Sequence, residues 1–371
     1  MTSDPLRPRV LLVPDLALEA WPSMDRYVHE VSGRLPEAEV PEAALALRGP
    51  RYLARYVRYP RALRNYHPQA VHVADHSYAH CLSAFRGVPS VITIHDLHPL
   101  HVIAAGGWSP RAAVRNRLLR YTLAWTRRAD RWIAVSEFTA GEARRLLDLP
   151  ASRIAVVPNG VAAEFGIRPP DAVVAARRQA WLGSAGSGGG QPRFVLHVGS
   201  CAPRKRVDVA IAAVGLLRGR GLEAWLVQIG GRFAAPHLRA IAAARLEPFV
   251  RQEPVATEAD LRAAYAAADV LLLPSSYEGF GLPALEAMAA GLPVVTSGAP
   301  ALRETIGDAG IAVEPADPPS LAAAVERVLS DGVLCETLAA KGRARAGAMT
   351  WERAANGIKV VYAELGIGER T

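Results

Sequence analysis

Short apolar runs rich in Val, Ile and Leu alternate with Ala-, Leu- and Arg-rich stretches of helical length from one end of this sequence to the other. A short apolar run is typical of a strand that is buried on both faces, and such strands occur in parallel sheets whose neighbours are joined by helices. The alternation therefore predicts repeated βα units and an α/β fold. For a chain of 371 residues, at roughly 150 residues per domain, we expect two domains.

The candidate strands form two sets along the chain. The first set comprises residues 9–14, 70–74, 90–94, 131–135 and 153–157, and the second comprises residues 193–198, 224–229, 248–251, 270–273, 293–296 and 311–313. Turn-rich residues 158–160 lie between the sets. The Gly- and Ser-rich residues 183–190 follow a predicted helix at 171–182, and we interpret them as a surface loop. Two doubly wound parallel sheets joined near residue 160 are the simplest fold.

The loops that follow the strands are the places to look for chemistry, because ligands of open parallel sheets bind beyond the carboxyl ends of the strands. The loop after the first candidate strand, residues 14–24, contains no glycine and so lacks the Gly-x-Gly-x-x-Gly pattern of dinucleotide-binding domains. The chain also lacks the Gly-x-x-x-x-Gly-Lys-Ser/Thr pattern of P-loop proteins. The absence of these two patterns argues against a dehydrogenase built on the first domain and against a P-loop NTPase.

One segment of the second half reads as a buried strand, a glycine-opened loop, a helix, a turn and another strand. Gly279 and Gly281 open the backbone of the loop, and Pro283 suits the first turn of a helix, where its missing N–H is not needed. Such a helix N-terminus offers free amides and partial positive charge to an anion. Glu278 and Glu286 accompany it, and a carboxylate accepts hydrogen bonds from vicinal sugar hydroxyls. The segment predicts a ligand with phosphate in the middle and sugar at both ends, which is the form of a nucleotide sugar.

The string from Glu278 to Glu286 resembles the donor-binding motif of the retaining GT-B glycosyltransferases, specifically glycosyltransferase family 4. The resemblance implies that Glu278 contacts the donor hexose and that Glu286 contacts the ribose. It also implies that backbone amides of the loop contact the hexose and the diphosphate, namely those of Gly279, Phe280, Gly281 and Leu282.

The same resemblance implies a GT-B fold, with two facing, doubly wound Rossmann-like domains, a cleft between them and a C-terminal helix that crosses back to the first domain. The implied ranges are residues 1–165 for an N-terminal acceptor-side domain and 166–347 for a nucleotide-sugar-binding domain. Residues 348–371 would form the returning helix, whose start near Trp351 resembles the family pattern.

A second motif follows the first strand of the second set and resembles the family loop whose basic side chains neutralise the donor diphosphate. Lys205 occupies the lysine position, Ser200 stands where the family usually has an arginine, and we expect Arg204 to substitute for it. Consecutive basic residues at a helix start oppose the helix dipole and cost up to about 1 kcal/mol unless an anion binds there. Two further donor-site residues are predicted from the family's base-reading segment: Val250 and Arg251.

In the first domain, His95 and Asp96 follow a strand and resemble the strand-end histidine segment that faces the donor sugar in the family. We predict that the catalytic group is His95, Asp96 and Glu278, with His95 stabilising the donor side and Asp96 orienting its loop. The first loop of the family carries paired glycines. Here Ser23 and Met24 stand in that loop, and we predict that they lie on the acceptor side.

The resemblance implies retaining transfer of a hexosyl group from a nucleotide-diphosphate sugar to a hydroxyl acceptor that is lipid-linked, a polysaccharide or a small molecule. No two aspartates of the chain stand two residues apart, so the Asp-x-Asp motif of metal-assisted transferases is missing, and we expect no metal and no other cofactor. The altered first loop leaves a second hypothesis open, a non-catalytic GT-B scaffold that binds sugar nucleotides. Two histidine trios lack the loop-bridged pattern of zinc sites and are not predicted to bind zinc: His72, His76, His80 and His95, His98, His101.

The net charge of +8 is concentrated in the first half, in Arg/Tyr-rich residues 51–64 and arginine-rich residues 111–131. A nucleic-acid partner is the weaker interpretation of these segments; we predict no nucleic acid and a peripheral contact with anionic membrane. Residues 1–8 are polar and precede an apolar run too short for a signal peptide or a bilayer span. Three widely spaced cysteines build no disulfide framework. We therefore expect a cytoplasmic protein, associated at most peripherally with the membrane.

Overall fold

The computed structural model describes residues 9–19, 21–42, 46–104, 110–183, 190–254 and 257–367. The chain forms two compact units. The first unit comprises Met1–Gly160 and Trp351–Thr371, and the second comprises Val161–Thr350. Each unit contains a six-stranded sheet, and every strand pairing in the described ranges is parallel. The predicted class, a two-domain Rossmann-like α/β fold, is confirmed.

The first unit is built around six parallel strands in the spatial order β2-β1-β3-β4-β5-β6. Their bounds are β1 Val10–Val13, β2 Ala38–Glu39, β3 Ala70–Val73, β4 Ser90–Ile94, β5 Arg131–Ala134 and β6 Ile154–Val156. β2 was not predicted from the sequence. With only two residues, β2 is too short to produce an apolar pattern, and it is held by its pairing with β1 at the sheet edge.

Helices connect and flank the strands of this sheet. Their bounds are α1 Pro22–Ser32, α2 Arg51–Leu53, α3 Tyr59–Leu63, α4 His98–Ala104, α5 Pro110–Thr126, α6 Glu137–Leu147 and, at the end of the chain, α15 Trp351–Glu364. A π-helical turn, Ala54–Arg58, joins α2 to α3, and a 3₁₀ helix, His76–Ala84, follows β3. Ser136 begins α6 as its N-cap by accepting the Thr139 amide at 3.0 Å.

The last helix, α15, packs within the first unit because its apolar face and two polar side chains find partners there. Trp351 and Tyr362 are buried on α15. Tyr362 Oη lies 2.7 Å from Nδ1 of buried His72 on β3, and His72 Nε2 lies 2.8 Å from the Thr93 hydroxyl on β4. Glu352 accepts a hydrogen bond from Arg34 at 2.7 Å. The helix is thus tied to the sheet by a buried imidazole whose two ring nitrogens are both hydrogen-bonded.

Acid should destabilise this arrangement. Burial, together with the nearby charge of His95, lowers the pKa of His72 to about 3, whereas the imidazole of an unfolded chain keeps a pKa near 6.5. Between these values the unfolded state binds more protons, so the contribution of His72 to stability is complete above about pH 6.5 and decreases as the pH falls toward 3. We expect urea unfolding at about pH 5 to show a loss of about 2 kcal/mol from His72 relative to neutral pH.

The control for this prediction is His72→Gln, which keeps hydrogen-bonding capacity but cannot titrate. The variant should have a smaller difference in unfolding free energy between neutral pH and about pH 5 than the parent chain does. An unchanged pH dependence in the variant would show that His72 does not contribute to acid destabilisation.

The second unit contains strands in the spatial order β12-β11-β10-β7-β8-β9. Their bounds are β7 Arg193–Val198, β8 Ala224–Ile229, β9 Val250–Glu253, β10 Val270–Leu273, β11 Val294–Ser297 and β12 Ile311–Val313. β9 begins later than predicted because a 3₁₀ turn, Glu247–Phe249, occupies the residues before it. The strand order reverses between β7 and β10, which makes this edge the topological switch point of a Rossmann-type sheet.

The helices of the second unit follow its strands in the expected alternation. Their bounds are α7 Asp171–Leu182, α8 Val207–Gly219, α9 Ala235–Ala243, α10 Glu258–Ala267, α11 Leu282–Ala290, α12 Pro300–Ile306, α13 Pro318–Ser330 and α14 Gly332–Gly347. α7 has the predicted bounds. A short 3₁₀ helix, Pro203–Lys205, precedes α8.

Some sequence-based expectations fall outside the described residues. The polar N-terminus, residues 1–8, and residues 184–189 of the predicted surface loop are among them. Among the helices that the structure describes, none combines the length and the apolar character needed to cross a bilayer.

Candidate functional site

The two motifs of the second half of the chain lie at the switch point of the second sheet. The loop after β7 carries Arg204 and Lys205, and the loop after β10 carries Glu278. β7 and β10 are adjacent strands. Because parallel strands end at the same edge of a sheet, the fold brings together two loops that are about seventy residues apart in sequence.

A buried cluster of charged groups joins these loops. Lys205 Nζ lies 2.5 Å from Glu278 Oε1, and Arg204 Nη1 lies 3.2 Å from Glu278 Oε2. Lys205 and Glu278 are each 8% exposed, and Arg204 is half-buried. Two cations thus face one anion, which leaves a local excess of positive charge beside the switch point.

Neighbouring hydroxyl and amide groups orient Glu278. Ser275 Oγ donates to Glu278 Oε1 at 2.8 Å, and the Ser297 hydroxyl donates to the Ser275 carbonyl. The Ser276 amide donates to the carbonyl of Arg204 at 2.8 Å, so the backbones of the two loops are also joined directly. Burial raises the pKa of Glu278, but the charges of Lys205 and Arg204 outweigh burial and hold that pKa below its ordinary value.

A helix N-terminus opens beside this cluster. α11 begins after Gly281, whose φ of 110° is one that L side chains rarely adopt, and Pro283 stands in its first turn. Within the described residues, the amides of Gly281 and Leu282 donate to no backbone carbonyl. Thr305 Oγ1 fixes the loop by donating to the Phe280 carbonyl at 2.6 Å. Free amides, the helix dipole and two cations make this edge suited to an anion.

Glu286 lies one turn further along α11 and is 3% exposed. Tyr265 Oη donates to Glu286 Oε2 at 2.7 Å, and the Tyr265 ring packs edge-on against Phe165. The motif therefore places its two glutamates in different surroundings. Glu278 is bound to cations, whereas Glu286 is held by a phenol.

A glycine pair that was not predicted as part of the site shapes the same edge. Gly230 and Gly231 follow β8, and a Cβ atom on Gly231 would lie 2.5 Å from the backbone nitrogen of Cys201. Gln228, near the end of β8, donates from Nε2 to the Gly199 carbonyl at 2.6 Å. The loop after β7 thus packs directly against the glycine pair. Two consecutive glycines after an apolar run are a sequence signal that could have predicted this close approach of two backbones.

The remaining predicted donor residues are not all brought to this edge. Ser200 is exposed in the loop after β7. Val250 and Arg251 begin β9 and pair with Leu226 and Val227 in the middle of β8, away from the carboxyl ends of the strands. The Arg251 guanidinium donates to three backbone carbonyls, and it lies 4.7 Å from the Trp225 ring. The structure thus places these two residues outside the loop cluster because β9 starts later than predicted.

In the first unit, His95 and Asp96 follow β4. His95 is half-buried, its Nε2 donates to the Ala74 carbonyl at 2.9 Å, and its ring packs edge-on against Tyr27 at 4.6 Å. Burial lowers the pKa of His95, which favours the neutral imidazole. Asp96 accepts the amide of His98 at 3.1 Å and so orients the loop before α4.

A second group of ionisable side chains lies at the ends of β1 and β3, the switch point of the first sheet. Asp75 Oδ1 lies 2.8 Å from His76 Nδ1. Burial raises the pKa of Asp75, but His76 and hydrogen bonds hold that pKa well below its usual range. Burial and the charge of Asp75 instead raise the pKa of Asp15 well above its usual range. The pKa values of these two carboxyl groups are thus shifted in opposite directions.

The predicted acceptor-side residues Ser23 and Met24 are not in a loop. They lie in the first turn of α1, which begins at Pro22, and Ser23 is exposed. The expectation of a loop was wrong because proline at the first helical position has a preset φ and no N–H to satisfy, so it starts the helix directly after Trp21.

The histidines weighed as zinc ligands have other partners. His72 bonds Tyr362 and Thr93, His80 Nε2 donates to the Arg55 carbonyl at 2.9 Å, and His101 pairs with Glu142. Within the described ranges no three His, Cys, Asp or Glu side chains are grouped as metal ligands.

Comparison with known structures and sequences agrees with this geometry. Sucrose-phosphate synthase from Thermosynechococcus elongatus superposes with a TM-score of 0.70 at 25% identity, over 89% of this chain and 84% of that chain. Two Rossmann-like units, with a cationic loop and a glycine-opened helix N-terminus at the switch point of the second, define a GT-B glycosyltransferase.

Sequence relatives identify the family. The family model of Glycosyl transferases group 1 matches residues 192–331, and that of Glycosyltransferase Family 4 matches residues 19–165. A glycogen synthase of Mycobacterium tuberculosis is 32% identical over 83% of this chain and 71% of its own length. The O-antigen chain mannosyltransferase B of Escherichia coli is 29% identical over 78% of this chain and 73% of its own length. This chain belongs to glycosyltransferase family 4, as its motifs predicted.

Proposed function

We propose that this glycosyltransferase moves a hexosyl group from a nucleotide-diphosphate sugar to a hydroxyl acceptor, with retention of anomeric configuration and without a metal ion. The observation that carries the proposal is the cluster of Lys205, Arg204 and Glu278 beside the free amides that begin α11. That edge offers positive charge to a diphosphate and carboxylate oxygens to sugar hydroxyls.

The main chemical demand of the reaction is stabilisation of the leaving nucleotide. Negative charge develops on the diphosphate as its bond to the sugar breaks and the anomeric carbon gains oxocarbenium character. Lys205 has three N–H donors, and its contact with Glu278 leaves others for phosphate oxygens. Because Glu278 already holds Lys205 in place, the ammonium is positioned before the charge develops, and little reorganisation is needed.

The two glutamates are proposed to contact different ends of the donor. Glu278 is proposed to meet the hexose and Glu286 the ribose, as the family motif implies. A hydrogen bond from Tyr265 to one carboxylate oxygen of Glu286 restricts the orientation of the Glu286 side chain for this role. In the first unit, His95 and Asp96 are proposed to act in catalysis, His95 as a neutral imidazole that can donate or accept a hydrogen bond.

The experiment that tests this proposal uses UDP-, GDP- and ADP-sugars with hydroxyl acceptors. The anomeric configuration of the first-formed product, read by proton NMR, distinguishes retention from inversion. An inverted product would overturn the retaining mechanism. Binding of a nucleoside diphosphate without transfer or hydrolysis of any donor would instead support the alternative, a non-catalytic sugar-nucleotide-binding scaffold.

Metal removal gives a separate prediction. Because cationic side chains and helix amides are proposed to bear the diphosphate charge, dialysis against EDTA should leave the initial rate of transfer unchanged. The control is the same dialysed protein supplemented with Mg²⁺ or Mn²⁺. A rate that falls on dialysis and returns with either ion would contradict metal independence.

Peripheral contact with anionic membrane is proposed for the first unit. Tyr52 and Leu53 are 60% and 41% exposed on α2, beside the basic residues of the same segment. Exposed aromatic and cationic side chains together favour the headgroup region of a bilayer. Sedimentation with phosphatidylglycerol vesicles tests the contact, and protein that stays in the supernatant at low salt counts against it.

A further inference from the structure

A basic cavity lies on the first unit, and none of the residues that line it belongs to the strand-end loops that carry the proposed chemistry. Its volume is about 750 Å³, within the range of small-molecule sites. The π-helical turn Ala54–Arg58, α3, the 3₁₀ helix His76–Ala84 and α5 supply most of its walls. We propose that this cavity is a binding site for a phosphate group, held by Arg61, Arg64 and Arg86.

The charge of the cavity is the first argument. Arg61, Arg64 and Arg86 line it, and no carboxylate is among the described residues that do so. In the described part of the chain, these three guanidinium groups have neither an ion pair nor a hydrogen bond. Arg51 and Arg55, on the same helical segment, both pair with Glu19. Three exposed like charges around one cavity make it attractive to an anion.

The geometry of the side chains is the second argument. A guanidinium group presents parallel N–H donors that match two oxygens of a phosphate, and three such groups suit a dianion better than a single carboxylate. Tyr56, Tyr121 and Trp125 also line the cavity, and they offer flat apolar faces and hydroxyl donors to whatever carries the phosphate.

The wall of the cavity is fixed in advance by a buried histidine. The His80 ring lies 4.5 Å from that of Tyr56 and 6.4 Å from that of Tyr121. Burial lowers the pKa of His80 to about 4, so the imidazole stays neutral at physiological pH and adds no charge to the wall. Its Nε2 donates to the Arg55 carbonyl, which ties the 3₁₀ helix that carries His80 to the π-helical turn that carries Tyr56. A wall held in place lowers the entropy cost of binding.

The test compares two sources of the same chemistry, glycerol 3-phosphate in solution and phosphatidylglycerol in vesicles. We expect calorimetry with glycerol 3-phosphate, sedimentation with vesicles, or both to show binding. Changing Arg61, Arg64 and Arg86 together to glutamine should weaken that binding at least tenfold, since each lost charge-assisted hydrogen bond is worth about that factor. Binding of only the soluble phosphate assigns the site to a free phosphorylated ligand, and binding of only the vesicles assigns it to a lipid headgroup.

A matched control separates the effect of the proposed site on binding from the effect of the total charge of the chain. Arg144, Arg153 and Arg239 are exposed, and changing all three to glutamine removes the same charge elsewhere on the chain. This variant should bind both probes as the parent chain does. Equal weakening in the two triple variants, equal binding of glycerate, or binding of neither probe would overturn the proposal. The inference does not rest on glycosyl transfer, because every readout measures binding alone.

Discussion

Replacing Lys205 with alanine should lower kcat for glycosyl transfer by about 100- to 1,000-fold, the loss typical when one preorganised donor to a developing negative charge is removed. The reason is the position of Nζ, which lies 2.5 Å from Glu278 Oε1 in a buried ion pair, and Glu278 stands in the loop that leads into α11. Water cannot replace the ammonium there without reorganising. The rate should be measured at saturating donor, so that weaker binding does not hide the effect on chemistry.

The matched control is Lys341→Ala in the same unit. Lys341 also pairs with a carboxylate, at 2.7 Å from Asp308, but its side chain is about half exposed. An exposed pair of this kind contributes little to stability, so this variant should keep both its rate and its fold. A Lys205→Ala chain that transfers sugar at the parent rate would remove Lys205 from the proposed mechanism.

A double-mutant cycle tests the cluster without any substrate. Glu278→Gln leaves Lys205 and Arg204 without their anion in a buried site, and the free energy of unfolding should fall by about 3 kcal/mol. Adding Lys205→Met removes one of the two uncompensated charges and should restore part of that loss. Urea unfolding of the four chains measures the coupling. Additive effects would show that the two side chains do not stabilise one another.

The second large effect is expected at Gly231, where alanine should destabilise the second unit by about 1–3 kcal/mol and weaken nucleotide binding. A Cβ atom at this position would lie 2.5 Å from Cys201 N and 3.0 Å from the Ser200 carbonyl carbon. Both are backbone atoms, so the loop after β7 must move as a whole. Since that loop leads into Arg204 and Lys205, its displacement should also disturb the charged cluster.

Gly219→Ala provides the control for Gly231→Ala. Gly219 is the last residue of α8 in the same unit, and a Cβ atom there would meet no atom within 4 Å. Alanine favours the helix, so this variant should be as stable as the parent or slightly more stable. Thermal unfolding with and without UDP, GDP and ADP measures both effects. If Gly231→Ala matched Gly219→Ala in both measurements, the close contact with the loop after β7 would contribute neither to stability nor to nucleotide binding.

The pattern of the sequence was sufficient for the fold class and for the two loops from which the candidate site is built. Buried strands such as β7 and β10 are continuous apolar runs because parallel strands are covered on both faces, and this signal is local. Gly281 and Pro283 likewise predict a helix start, because glycine can adopt the positive φ before the helix and proline suits its first turn. Elements with weak local signals were missed or misplaced. β2 is too short to show a period, and the start of α1 was taken for a loop.

The composition and order of residues thus determined two parallel α/β units, the motif glutamates and the basic loop. Tertiary structure alone decided which of these groups meet. The strand order β7-β10 brings Lys205 to Glu278, the late start of β9 keeps Arg251 away, and a cavity collects three arginines from two segments of the chain. The physical reason is that side-chain type and helix or strand periodicity are local properties, whereas distances between loops depend on sheet order, which non-local packing selects.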